Sequence, residues 1–162
     1  MTYYSYYDSP LGKILLLSDG TALTGLYMEC QTGKPCGIEV DLPIFDETKN
    51  WLDAYFRGDF PNPDELSLCP KGTPFQEAVW HILLTIPQGQ TRSYGDIARE
   101  MARRLGKEKM SAQAVGQAVG RNPISIIIPC HRVVGAKGQL TGYAGGLDKK
   151  IWLLKHEGNE IE

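Results

Sequence analysis

No run of apolar residues in the chain approaches the roughly 20 that a membrane-spanning helix needs. The opening Met-Thr-Tyr-Tyr-Ser-Tyr-Tyr-Asp has no signal-peptide pattern either. A protein without membrane attachment is therefore expected inside the cell, cytoplasmic, or nuclear if the source is eukaryotic. Cysteine is scarce. There are four, Cys30, Cys36, Cys69 and Cys130, no two of them form a C-x-x-C pair, and their spacing fits no zinc pattern. Cys30, Cys36 and Cys69 with a histidine could be imagined as a metal site, but reduced thiols are the better reading, and no metal or cofactor is expected. Internal repeats and low-complexity segments are missing too.

What is present is an ordinary globular composition. Hydrophobic residues make up 42% and charged ones 22%, and 162 residues suffice to bury a core in one domain or two small ones. The net charge of −2 hides an asymmetry. Residues 1–70 hold 4 Lys and Arg against 11 Asp and Glu, whereas residues 71–162 hold 13 against 8. An acidic scaffold half and a basic working half follow. The basic excess sits at Arg92, Arg99, Arg103, Arg104, Lys107, Lys109, Arg121 and Arg132, consistent with contacts to a polyanion. Scattered surface charge on a helical half would look much the same.

Residues 1–30 read as a meander. Tyr3–Tyr7, Lys13–Leu17 and Ala22–Met28 are strands, with turns at Ser9-Pro10-Leu11-Gly12 and Ser18-Asp19-Gly20. Gln31–Gly37 is a loop, and Ile38–Leu42 a short strand. Asp46–Phe56 is a helix with Trp51, Leu52, Tyr55 and Phe56 on one side, ended by the glycine and prolines of 58–64. Glu65–Cys69 reads as one more strand. Pro70-Lys71-Gly72-Thr73 marks the boundary between domains 1–70 and 71–162. Beyond it the pattern turns helical. Thr73 or Pro74 starts a helix running toward Ile86, Ser93 caps a second with Asp96 as capping-box partner, and Ser111 caps a third, Ala112–Val119, rich in small residues. The fold class is an α/β N-terminal domain, a small and mainly antiparallel sheet plus a helix, then a mainly helical, winged helix-turn-helix-like domain.

One stretch stands apart: Ile126-Ile127-Ile128-Pro129-Cys130-His131-Arg132-Val133-Val134. The isoleucines read as a buried strand or extended segment that Pro129 ends, which places Cys130 in a turn or the first turn of a short helix. Free N–H groups at a helix start, with His131 and Arg132 near, would favour thiolate over thiol. Most buried cysteines are inert, and adjacent side chains need not face each other, so adjacency alone leaves the nucleophile and the inert thiol both open.

Pro129-Cys130-His131-Arg132-Val133 resembles the active-site motif of the alkylguanine-DNA alkyltransferases. The agreement continues over Ser93-Tyr94-Gly95, Ala114-Val115-Gly116, Asn122-Pro123, Tyr143-Ala144-Gly145-Gly146-Leu147 and Leu153-Leu154-Lys155-His156-Glu157-Gly158, and more loosely over Ser9-Pro10-Leu11-Gly12. The resemblance implies a repair protein that moves an alkyl group from O6 of guanine in double-stranded DNA onto its own cysteine. It would act once, as a monomer, after the nucleotide is flipped out of the stack. By position Cys130 would be the acceptor, and His131, through a water and backed by Glu157, the base. Asn122 would brace the active-site turn, and Tyr94 would assist departure of the guanine. Carbonyls of Cys130 and Val133 would receive the exocyclic amine, while the loop of Tyr143, Ala144 and Gly145 closes the pocket, an N–H of Ala144 lying near O6. Ser93, Gln113, Ala114, Arg121 and Arg132 would belong to the DNA- and substrate-binding surface. One departure is plain: the family's intercalating arginine is Gln113 here. No further cysteine-rich sensor module is present, so a transcriptional role is not implied.

Three other readings remain at this point. A Cys-His-Glu hydrolase would show steady turnover. A non-catalytic alkyltransferase-like binding protein would lack the acceptor cysteine. A winged-helix regulator would need sequence-specific binding to undamaged DNA.

Overall fold

The structure is a computed structural model describing residues 1–28, 35–143 and 145–161. Cys30, Ala144 and most of the loop expected over 31–37 lie outside the described residues. The chain divides into two compact units, Met1–Lys71 with Pro123–Ser125, and Gly72–Asn122 with Ile126–Glu162.

The first unit is a four-stranded sheet of order β3-β2-β1-β4 with one long helix. Strand β1 (Tyr3–Ser9) pairs antiparallel with β2 (Gly12–Ser18) from Tyr3↔Ser18 to Ser9↔Gly12. The hairpin turn closes because the Ser9 hydroxyl donates to the Gly12 carbonyl at 2.6 Å and Gly12 adopts φ +103°. Strand β3 (Leu23–Tyr27) runs antiparallel to β2, and β4 (Ile38–Glu39) adds one parallel edge beside β1. The strand expected over 38–42 is this short because Pro43 opens α1 (Pro43–Arg57). That helix buries Ile44, Phe45, Thr48, Trp51, Leu52 and Tyr55, a single helical face. Phe56, expected on that face, is only half-buried and stacks on Tyr7 instead. The strand expected over 65–69 is reduced to a single bridge, Leu23↔Leu68, after a 3-10 turn at Pro63–Glu65.

The second unit is helical. Thr73 and Gln76 form a reciprocal capping box ahead of α2 (Pro74–Leu83), and Ser93 and Asp96 do the same for α3 (Tyr94–Leu105). Ser93 also ends β5 (Arg92–Ser93), which pairs in parallel with β6 (Val133–Val134). Gly106 closes α3 in the left-handed conformation. Ser111 caps α4 (Ala112–Gly120) by accepting from the Ala114 N–H at 3.1 Å. Val115, Ala118 and Val119 turn inward, and the Trp80 indole on α2 donates to the Ala118 carbonyl at 2.8 Å. The last helix, α5 (Leu147–His156), was not among the expected elements.

The isoleucine run is a correction. Ile126, Ile127 and Ile128 are buried as expected, but they form a turn rather than a strand. Ile126 has φ +70°, a left-handed conformation that costs a β-branched residue and cannot continue a ladder. A short apolar run cannot by itself distinguish a strand from any other buried segment.

Candidate active site

The site is built within the second unit on the 3-10 turn Cys130–Arg132, which follows the isoleucine turn and ends where β6 begins. The sequence packs an apolar run directly against three polar side chains, so all three are carried inside: Cys130, His131 and Arg132 are buried. Asn122, at the end of α4, donates from Nδ2 to the Ile128 carbonyl at 2.8 Å and also hydrogen-bonds the Cys130 thiol. It therefore braces both sides of Pro129.

The expected preference for thiolate at rest does not hold. Burial pushes the Cys130 thiol up, against the hydrogen bond with Asn122, the positive charge of Lys150 and the nearby Tyr143 phenol. The Cys130 N–H is not free at a helix start but donates to the Ile128 carbonyl at 2.8 Å.

His131 is sealed from solvent, and burial lowers its pKa, so the ring is neutral at pH 7. Its Nε2 lies 2.7 Å from Glu157 Oε2, while Nδ1 has no hydrogen-bond partner among the described residues. With Glu157 as carboxylate, Nε2 carries the ring proton and Nδ1 is the basic nitrogen.

Arg132 corrects an expectation. It does not present its charge to a polyanion. Its guanidinium clasps Glu157 at 2.7 Å (Nε to Oε1) and 3.0 Å (Nη2 to Oε2), and Nη1 donates to the Ile86 carbonyl at 2.6 Å. Burial alone would raise the Glu157 carboxyl, but the hydrogen bonds from His131 and Arg132 outweigh it and bring the pKa down to about 2. The fork of Arg132 thus fixes the carboxylate that orients His131.

Lys150 was missed. It is fully buried on α5, and its Nζ donates to the carbonyls of Val133 at 2.6 Å, Thr141 at 2.7 Å and Gly142 at 3.3 Å. Lys149-Lys150 looks like a solvated helix surface. The signal was in the spacing: Lys150, Leu153, Leu154 and Glu157 share one helical face, and all four are buried.

The remaining expected residues fall around this centre or on the flank of α4. Tyr94 opens α3, half-exposed, and its ring faces Gly116, where an added Cβ would sit 3.7 Å from it. Gln113 and Arg121 are exposed, Ala114 is half-exposed, and Gly145 is buried. The Ser93 hydroxyl is committed to its helix cap. Part of the basic excess is neutralised locally, since Arg99 pairs with Asp96, and Arg103 and Arg104 with Glu100.

Residues 74–159 match the family model described as 6-O-methylguanine DNA methyltransferase, DNA binding domain, and residues 2–68 match its ribonuclease-like domain. The chain belongs to the methylated-DNA–protein-cysteine methyltransferase family. It is 48% identical to the enzyme of that name from Mycobacterium leprae over 95% of this chain and 91% of the relative. It is 46% identical to that from Methanosarcina acetivorans over 97% and 99%. Among solved structures, Mycobacterium tuberculosis OGT in complex with DNA superposes with a TM-score of 0.83 at 45% identity, covering 96% of this chain and 92% of that one. The activity is O6-methylguanine-DNA methyltransferase, a direct reversal of DNA damage. Among the described residues no helix is long and apolar enough to cross a membrane.

Proposed function

We propose that Cys130 is the acceptor and that it takes one alkyl group from O6 of a guanine flipped out of duplex DNA, irreversibly and once per molecule. The observation that carries this reading is the buried Cys130 turn set against the His131–Glu157 pair. Because burial keeps the thiol protonated, transfer needs a base. The thiol proton passes to His131 Nδ1, through a bridging water, and the resulting imidazolium is held by the Glu157 carboxylate. The sulfur then attacks the alkyl carbon, the carbon–oxygen bond breaks, and the guanine leaves as an anion that the Tyr94 hydroxyl assists. A thioether remains, and among the described residues no group in the site is suited to cleave it.

Residues 71–162 are read as the DNA-binding and acceptor domain and residues 1–70 as the α/β domain. The exposed face of α4, with Gln113 and Arg121, is assigned to the DNA, which a relative at 45% identity is known to bind. Val133 retains a second carbonyl lone pair for the guanine amine beside its bond to Lys150. The acceptor and its relay come from one chain, which suits a monomer, and free Cys36, Cys69 and Cys130 suit a reducing compartment.

The test is turnover. Product from O6-methylguanine duplex should stop at one equivalent of protein, and Cys130→Ser should keep duplex binding and lose transfer. Continued release of repaired DNA, or steady hydrolysis of an ester, would overturn the reading.

A further inference from the structure

Lys150 takes no part in the relay just described, yet it is among the largest fully buried side chains of the chain. Lysine is almost never fully buried unless its charge is compensated. Its Nζ meets three backbone carbonyls, and among the described residues no carboxylate lies within ion-pair distance of it. Glu157, on the same face of α5, is already engaged by Arg132 and His131. The titratable groups that feel the Lys150 charge are Cys130 and His131 of the 3-10 turn, with Arg132 and Glu157 paired beside His131 and Tyr143 acting on Cys130. Arg132 and Glu157 cancel, His131 is neutral, and Tyr143 is a phenol. One positive charge is left over while Cys130 is a thiol, and ionisation of Cys130 removes the imbalance.

We propose that Lys150 is a positioning residue whose ammonium is the counter-charge of the Cys130 thiolate and ties the 141–143 loop to the start of β6. This rests on the reading of Cys130 as acceptor. The carbonyls it joins are informative. Val133 is the residue directly after the Cys130 turn, and Thr141 and Gly142 lead into Tyr143, whose phenol acts on the Cys130 thiol. A single ammonium thus joins the residue after the turn that carries the sulfur to the loop that leads into Tyr143. Burial lowers the Lys150 pKa to about 8 while Cys130 works to raise it, the mutual dependence expected of such a pair.

The experiment follows capture of Cys130 by iodoacetamide against pH in the full chain, read on the Cys130 peptide, beside methyl transfer from duplex DNA. Lys150→Gln keeps a donor for the carbonyls without the charge, Lys150→Met keeps neither, and Lys150→Arg keeps the charge. Each is checked by thermal melting. The two neutral variants should raise the midpoint of Cys130 capture, and transfer at pH 7 should fall about tenfold for each unit of rise and recover as pH increases. Lys150→Arg should hold the wild-type midpoint. An unmoved midpoint in a folded neutral variant, or an equal shift in Lys150→Arg, would overturn the proposal. So would loss of folding in both neutral variants while Lys150→Arg folds, because the role would then lie in the fold. If wild-type protein mixed with methylated duplex carried its methyl elsewhere than Cys130, the acceptor reading itself would have failed, independently of these shifts.

Discussion

Nε2 of His131 and Oε2 of Glu157 stand 2.7 Å apart with both side chains closed to solvent. The contact selects one tautomer and leaves Nδ1 as the basic nitrogen, and in the proposed relay the carboxylate would hold the imidazolium formed when the thiol gives up its proton. A pair that works as one unit has a kinetic signature. His131→Ala and Glu157→Gln should each slow transfer by about 100-fold or more, in the range typical of lost general-base catalysis. The double variant should be scarcely slower than the worse single one. Full multiplicativity in single-turnover rates would separate the two roles.

Arg132 makes Glu157 a stability element as well. Arg132→Met would strip the buried carboxylate of its fork, and removing one partner of a buried pair costs about 3–5 kcal/mol, measurable as a lowered urea midpoint at pH 7. The pH dependence has a definite sign. Glu157 is depressed from 4.5 to about 2, so its stabilisation is complete above 4.5 and is lost as pH falls toward about 2. His131 is lowered from 6.5 by burial, so its neutral form favours the fold above 6.5 and the advantage fades as pH falls below that value. Stability of the wild type should therefore decline on acidification from about 6.5. In Arg132→Met the part of the decline between 4.5 and 2 should be shallower. An acid limb unchanged by the substitution would remove Arg132 from the account.

The sequence carried the helix caps and the cysteine turn because both depend on local chemistry. Thr73, Ser93 and Ser111 cap their helices with their own hydroxyls, and Pro129 ends what precedes Cys130 whatever the rest of the chain does. The isoleucine turn was not legible, since the left-handed Ile126 is imposed by the surrounding fold against its own preference. Arg132 and Lys150 were misjudged or missed for a related reason. Long cationic side chains are read as surface by default, and only their partners, Glu157 for one and three carbonyls for the other, keep them inside. The thiol was misjudged because proximity of cations was visible in the sequence and the depth of burial was not.

Gln113 stands exposed on α4 where the family resemblance calls for an arginine that fills the gap left by the flipped nucleotide. Glutamine keeps reach and a planar hydrogen-bonding end without the charge. Gln113→Ala should slow transfer from duplex several-fold, because extrusion costs a few kcal/mol that an inserted side chain partly offsets. Transfer from free O6-benzylguanine, which needs no flipping, should hardly change. Equal loss on both substrates would make Gln113 a support of the pocket.

The central claim is that one sulfur, that of Cys130, receives the alkyl group. Intact-mass and peptide measurements after mixing the protein with excess O6-methylguanine duplex test it most directly. The expected result is a single added methyl per molecule, on the Cys130 peptide alone, with the thioether persisting as fresh duplex is supplied. Methyl on Cys69 or Cys36, more than one methyl per chain, or unmodified protein alongside repaired DNA would contradict it.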